Sequence, residues 1–412
     1  MSSAAPRQIT TTCCIAGGGP AGIMLGYLLA RAGIDVCVLE KHGDFLRDFR
    51  GDTIHPSTME LLHELGLLHQ FLALPHDEVS RVEVSLNGRH FIGPDFSHLP
   101  TICKFIAFMP QWDFLNFIAA QAEGFANFHL LRNTAVNGLL FDGERVTGVR
   151  ATSPDGNIEV RALLTVGADG RDSAVRALAG MVPVDFGVPI DVLWLKLPKR
   201  AASPTQALLH IQGGHLFITL DRGDYWQCAF LIAKGSFPNI RAKGLAAFRT
   251  LLAATAPVTS AGLVAITDWS QVFLLTVQIN RLAHWYRDGL LCIGDAAHAM
   301  SPVAGVGINL AIQDAVATAN LLSTKLRRGV IVGDDLRAVQ NRRERAVRMT
   351  QGMQQFVHHR IMVVDKDGRA GIAPPAALQF LAPLFAPVLR RIAARVIGIG
   401  FRAEHIAREQ AG

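Results

Sequence analysis

Six residues near the N-terminus, Gly17-Gly18-Gly19-Pro20-Ala21-Gly22, constrain this chain more than any other stretch. They follow Ile9 to Ala16, a short β-branched and apolar run suited to a strand buried on both faces. Gly17 permits a tight turn, Gly19 lets backbone approach a phosphate, and Gly22 lets helix and strand pack closely. Pro20 to Ala32 then read as a helix, with Gly33 as its stop. A second strand, Ile34 to Leu39, ends at Glu40, eighteen residues after Gly22, where an acceptor for a ribose diol belongs. This pattern predicts a βαβ dinucleotide site with a pyrophosphate at the helix N-terminus. The Glu40 carboxylate repels a 2′-phosphate, which disfavours NADP in this slot and leaves both NAD and FAD open.

Two later motifs have the same form, an apolar strand followed by a glycine–acid turn. Leu163 to Val166 lead into Gly167-Ala168-Asp169-Gly170, with Arg171 and Arg176 just beyond. Leu290 to Ile293 lead into Gly294-Asp295-Ala296-Ala297-His298, then Ser301-Pro302 and Gly305-Val306-Gly307-Ile308-Asn309. In this order and spacing, over roughly residues 9–325, the three motifs resemble the FAD-dependent aromatic hydroxylases of the para-hydroxybenzoate hydroxylase type, the group A flavoprotein monooxygenases.

The resemblance implies which residues meet FAD. Gly17, Gly19, Pro20, Ala21, Gly22, Glu40 and Lys41 belong to the nucleotide end. Asp169 and Arg176 match positions near FAD and the nicotinamide's route in, and Asp295 matches the acid on the ribityl chain. Pro302, Gly305, Gly307, Ile308 and Asn309 lead into a helix whose positive N-terminus faces the pyrimidine end of the isoalloxazine and favours the anionic reduced flavin. Arg50, followed by Thr53-Ile54-His55-Pro56, resembles the segment that contacts flavin and substrate. Gln111 resembles a helix-start residue that meets the polyol or phosphate. Arg50, His55 and Pro302 are the catalytic candidates, while His298 reads equally as a catalytic or a packed histidine.

The implied reaction starts with reduction of FAD by NADPH or NADH, which the family binds transiently in a groove without a second Rossmann domain, and this chain likewise shows a single GxGxxG. Reduced flavin and O2 then give a C4a-hydroperoxide, which transfers one oxygen atom to an aromatic or other electron-rich small molecule. That chemistry needs a dry pocket. A sheet surface carrying Phe217, Trp226, Phe230, Trp194 and Leu216 is the candidate wall, and His55, His210 and His215 are candidate bases. A reductase or dehydrogenase on the same fold, or a non-catalytic flavin redox sensor, are the alternatives. The stretch Trp194-Leu195-Lys196-Leu197-Pro198 departs from the Trp-x-Trp-x-Ile-Pro signature of flavin-dependent halogenases at Lys196.

A chain of 412 residues, half of them hydrophobic, is long enough for two domains. The expected fold is α/β. A Rossmann-like FAD-binding domain (GR2-type) comprises residues 1–75, 105–182 and 279–350. An inserted antiparallel β-sheet substrate domain takes 76–104 and 183–278, and a C-terminal helical segment takes 351–412. The net charge of +6 owes much to Arg327, Arg328, Arg342, Arg343, Arg345 and Arg348, read as a solvated helix face, so nucleic acid is not an expected partner. Six cysteines in apolar runs, without metal spacing, predict buried thiols, no metal and a reducing cytoplasm. Residues 376–401 mix apolar side chains with Arg390, Arg391 and Arg395. They are expected to pack as a cap or a dimer contact, ahead of a membrane-surface role. Monomer and homodimer both fit.

Overall fold

The computed structural model describes residues 6–46, 53–199, 208–364, 370–372 and 376–407. Its first sheet is centred on Arg7–Ala16, which pairs in parallel with Gly156–Gly167 on one side and Val36–Leu39 on the other. Leu290–Cys292 and Phe128–Leu131 extend it, again in parallel. The apolar run of the first strand is continuous because both faces are covered. Cys13 and Ile15 pack with the helices Pro20–Arg31, Gln111–Glu123 and Val306–Arg327. Cys14 and Ala16 pack instead with Leu139, Val149 and Val160 of an antiparallel meander. Burying each such Ile or Val side chain contributes about 1.5–3 kcal/mol.

The second sheet has seven strands, ordered Phe273–Leu275, Ile190–Pro198, Tyr225–Ala233, His215–Asp221, Leu208–Gln212, Arg81–Leu86 and Arg89–Asp95. The last two form a hairpin turned at Asn87 and Gly88, with φ of 47° and 78°, as a type I′ turn requires. Neighbouring strands are antiparallel except Leu208–Gln212 with Arg81–Leu86, which run parallel. That pair joins strands far apart in sequence, so no short turn dictates its direction.

Side-chain parity divides this sheet into two surfaces. Leu193, Leu195, Phe217, Trp226 and Phe230 cluster with Phe248 and Leu252 of the helix Leu245–Thr255. Ile190, Val192, Ile211, Leu216, Ala229 and Leu231 form the opposite surface, with Trp194, Val303 and Val357 packed against it. The five residues expected to share one pocket wall are therefore split. Phe217, Trp226 and Phe230 belong to the helix-covered outer core, and only Trp194 and Leu216 lie on the inner face.

Two short helices follow, Pro56–Glu64 and Leu68–Leu72, separated where Gly66 takes φ of 74°. The helix Gly333–Phe356 runs unbroken through position 351 into the π-helical turn Val357–Ile361. The helix Ala376–Gly398 packs by Ala394 against Phe96 and Leu99. A Cβ on Gly398 would come within 2.7 Å of Leu99 Cδ1, so a larger residue there would have to displace that side chain. Among the described residues no helix is long and apolar enough to cross a membrane.

Candidate cofactor and substrate site

Strand register brings the three glycine motifs to one edge. Ala16 is the partner of Gly167, and Gly167 is the partner of Cys292. The loops that begin at Gly17, Ala168 and Ile293 thus leave the carboxyl ends of three adjacent parallel strands at one level, where open α/β sheets bind ligands. Gly17 has φ of 105°, and a Cβ there would lie 2.4 Å from Ala168 O. A Cβ on Gly22 would sit 1.9 Å from Gly17 O. Beside Gly19, by contrast, the space is open, with its nearest neighbour 4.0 Å from an added Cβ. Glu40 is buried and anchored by backbone: Gly18 N donates to Oε2 at 2.8 Å and His42 N to Oε1 at 3.0 Å. Lys41 is exposed beside it.

The second turn is braced internally. Val175 N donates to Asp169 Oδ2 at 3.0 Å and Ser173 Oγ donates to Oδ1, so Asp169 closes the turn before the helix Ala174–Leu178. Arg176 is buried and donates to Ala296 O at 3.0 Å and Arg171 O at 2.7 Å. It ties the second motif to the third by its guanidinium. Arg171 lies 3.6 Å from Asp295, whose side chain is 30 % exposed at the edge. Gly294, with φ of 58°, fits between Ala21 and Ala311.

Beyond Pro302, two consecutive residues are left-handed, Ala304 at φ 66° and Gly305 at φ 65°. A non-glycine residue in that region holds strain, which recurs at functional loops. A Cβ on Gly305 would meet Thr53 Oγ1 at 2.5 Å. The helix Val306–Arg327 starts here, and nothing lies within 4 Å of a Cβ built on Gly307. Asn309 Oδ1 accepts from Ser57 Oγ at 2.9 Å and Thr58 Oγ1 at 2.8 Å, which locks the first turn to the helix Pro56–Glu64. Ile308 is buried, while Gln111 begins its helix half-buried.

Comparison with known proteins identifies the architecture. Residues 10–352 match the family described as FAD binding domain. The chain belongs to the FAD-dependent aromatic monooxygenase family. It is similar to the 6-methylpretetramide 4-monooxygenase of Streptomyces rimosus, at 34% identity over 93% of this chain and 92% of that one. It is 31% identical to the anhydrotetracycline monooxygenase of Streptomyces rimosus over 73% of its length, spanning 60% of that relative. In fold it resembles the p-nitrophenol 4-monooxygenase PnpA of Pseudomonas putida DLL-E4, with a TM-score of 0.74 at 18% identity, covering 94% of this chain and 96% of that one. PqsL, a probable FAD-dependent monooxygenase of Pseudomonas aeruginosa, gives 0.71 at 24% identity, covering 85% and 96%.

The donor set at the edge suits FAD. Acids stand where hydroxyls would be held, at Glu40 and Asp295. Between them lies a helix start with no acid in its first turn and open space at Gly19. The second helix start, at Gly305, is likewise free of acids in its first turn and open at Gly307. Helix N-termini of this kind attract anionic groups.

The three candidate bases do not converge. His210 lies beside Thr219 Oγ1 at 3.3 Å and Phe217, and His215 stacks on Phe230, so both belong to the outer, helix-covered surface. His55 does lie at the seam, but its ring is engaged on both nitrogens. Nδ1 donates to Ile397 O at 2.7 Å, and Nε2 is 3.3 Å from Thr53 Oγ1. Burial pushes His55 down to about 4, which keeps it neutral and makes it a weak base at pH 7. Its position makes it a brace between the Gly305 loop and the C-terminal helix. Arg50 lies outside the described residues.

Several residues of the site lie outside the motifs. Gln351 Nε2 donates to Asn280 O and Ala299 O, and Gln354 Nε2 donates to Ser301 O at 3.0 Å while its Oε1 accepts from Ser301 N at 3.1 Å. His358 Nε2 lies 2.9 Å from Ser301 Oγ. These side chains hold the loop before Pro302 from behind. Arg343, read in the sequence as part of a solvated face, is buried and pairs with Asp314. His298 is likewise buried, with Nε2 2.6 Å from Asp314 Oδ2, so it is a packed, hydrogen-bonded histidine. Glutamines and an arginine recurring on one helix face were the available signal, but only the fold shows what they meet.

Proposed function

We propose that this protein is a monooxygenase that uses NADPH or NADH and O2 to hydroxylate a flat, largely apolar, polycyclic aromatic substrate. One observation carries the reading. The loop that begins the helix at Gly305 packs through Val303 on the apolar inner face of the seven-stranded sheet. The proposed cofactor edge and the proposed substrate wall therefore share a boundary.

Residues along the edge divide the work of holding FAD. Glu40 accepts from the adenosine ribose, and the first-turn amides of Ala21 and Gly22 receive the pyrophosphate. Asp295 accepts from the ribityl hydroxyls. The amides of Val306, Gly307 and Ile308 would meet the pyrimidine end of the ring, where helix polarity would stabilise added negative charge. Gly17, Gly19 and Pro20 shape the first turn, and Gly305 and Asn309 the second. Lys41 and Gln111 flank the polar end, Pro302 closes the ring end, and Asp169 and Arg176 fix the turns from behind. FAD, when bound, supplies the two-electron chemistry and oxygen activation that side chains lack.

Trp194, Leu209, Ile218 and Val303, half-buried over the core of Ile190, Val192, Ile211, Leu216, Ala229 and Leu231, offer the substrate no charge. Such a wall recognises a planar apolar skeleton by area and excludes water from the reacting edge. The named substrate of the relative, 6-methylpretetramide, supports a multi-ring substrate class. Described cysteines that are all buried and unpaired support a reducing, cytoplasmic setting.

The test is an aerobic assay of FAD-loaded protein with NADPH or NADH and a panel of one- to four-ring phenols. Nicotinamide oxidation stimulated by multi-ring members, with a product 16 mass units heavier, supports the proposal. Oxidation that responds to none of them, or only to an artificial electron acceptor, overturns it.

A further inference from the structure

The C-terminal tail is wired to the flavin edge through buried charge. Asp314, in the middle of the helix Val306–Arg327, is wholly buried. One of its oxygens accepts from Gly294 N at 3.0 Å and from His298 Nε2 at 2.6 Å. The other accepts from Arg343 Nε at 2.9 Å. Burial alone would raise the Asp314 carboxyl, but the neighbouring His298 and Arg343 outweigh it and hold it below the usual carboxylate range. Arg343 Nη1 continues the path, donating to Arg402 O at 3.0 Å and Glu404 Oε1 at 3.3 Å. Glu404 is 3 % exposed and also accepts a two-pronged contact from Arg342, at 2.9 and 3.0 Å. Its backbone amide donates to Gln313 Oε1. A chain of alternating charges thus runs from the tail, across two helices, to the amide of Gly294. The residue after Gly294 is Asp295.

The same tail has a second, separate anchor. Glu64 accepts from Ile406 N at 2.7 Å and from His405 Nδ1 at 2.5 Å. Asn320 bonds His405 O at 2.8 Å and Ala407 N at 3.0 Å. Neither contact leads to Gly294 among the described hydrogen bonds.

We infer that Glu404 is a positioning residue for the flavin-holding turn, acting through Arg343 and Asp314 on Gly294 and Asp295. The inference rests on the FAD assignment of that edge. Removing one charge of a buried, alternating set leaves its neighbour uncompensated. Without Glu404, Arg343 keeps Asp314 as its remaining anion, but its guanidinium is no longer fixed from the tail side and draws Asp314 out of its present position. Asp314 then no longer fixes the Gly294 amide, and the Asp295 carboxylate loses its aim. Small errors in a supporting shell are enough to loosen a bound group.

The experiment compares Glu404→Gln with Glu64→Gln in the full chain, measuring FAD affinity by fluorescence titration of apoprotein, the visible circular dichroism of bound flavin, and Tm. Both variants are expected to lower Tm. Only Glu404→Gln is expected to weaken FAD, by about tenfold or about 1.4 kcal/mol, and to change the flavin's dichroism. Glu404→Asp, which keeps the charge, should recover most of the affinity. Equal losses of affinity in both variants, or none in Glu404→Gln, would overturn the inference. Should Glu404→Gln prove insoluble, Arg342→Ala weakens the same carboxylate from its exposed side and must give the same ordering at smaller amplitude. Wild-type apoprotein that takes up no FAD would instead sink the assignment beneath it.

Discussion

The two large sheets of this molecule put their polar and apolar atoms to opposite uses. The parallel sheet is apolar on both faces and polar at one edge, where strand ends deliver glycine amides and the acids Glu40 and Asp295. The seven-stranded sheet works through a face, and that face carries Ile190, Val192, Leu216 and Leu231. In the proposed reading, the edge holds FAD with fixed hydrogen-bonding groups, and the face selects a substrate by area and dryness. An edge built this way fails through single atoms, whereas a face fails gradually. Each of the following substitutions tests that contrast.

The largest effect belongs to the edge. Gly22→Ala forces a Cβ to within 1.9 Å of Gly17 O, and something in the turn must shift. Flavin content of the purified variant should fall to background, and full occupancy would show the turn to be more plastic than its packing indicates. Next comes the outer core of the second sheet. Phe217→Ala, at a wholly buried position, should cost about 3–5 kcal/mol by chemical denaturation. Its KM for substrate should hold, because the residue faces the helical layer.

Glu40→Ala returns to the edge at a smaller scale. Loss of a carboxylate held by two backbone amides should weaken FAD by about 1.5–3 kcal/mol, tenfold or more. An unchanged dissociation constant would remove the ribose role. The seam between the sheets should respond to acid. Burial lowers His55 from 6.5 to about 4, so its contribution to stability is full above pH 6.5 and is lost as the pH falls toward 4. Between pH 7 and pH 5 that loss is about 2 kcal/mol. Denaturation of the wild type and His55→Gln at both values should show the smaller acid penalty in the variant. The smallest effect is on the inner face, where Leu216→Ala should raise KM by about tenfold or less, as the loss of a few methylenes does. A Leu216 variant with altered stability and unaltered KM, beside a Phe217 variant with the reverse, would invert the assignment of the two faces.

The contrast also decides what was legible in the sequence. Gly17 and Gly22 announce themselves because a local steric demand admits no other residue, and Glu40 follows at a fixed spacing from them. The inner face gave no such sign. Leu216 and Phe217 are adjacent, equally apolar and opposite in orientation, and only strand parity within a known register separates them. The arginine-rich helix misled for a related reason. Arg343 looks like its exposed neighbours until Asp314, 29 residues before it, and Glu404, 61 residues after it, are brought alongside. Long-range pairing of this kind leaves no local pattern. The histidines were ambiguous on the same grounds, since His55, His210 and His215 differ only in which surface the fold turns them toward.

The most direct test of the central claim follows the oxygen atom. FAD-loaded protein, NADPH or NADH and a multi-ring phenol that stimulates nicotinamide oxidation are incubated under 18O2, and the product is read by mass spectrometry. The account expects one 18O atom per product molecule, with none from labelled water. A product that forms without 18O, or equally well when O2 is replaced by an electron acceptor, would contradict it and make the protein a flavin dehydrogenase on a hydroxylase fold.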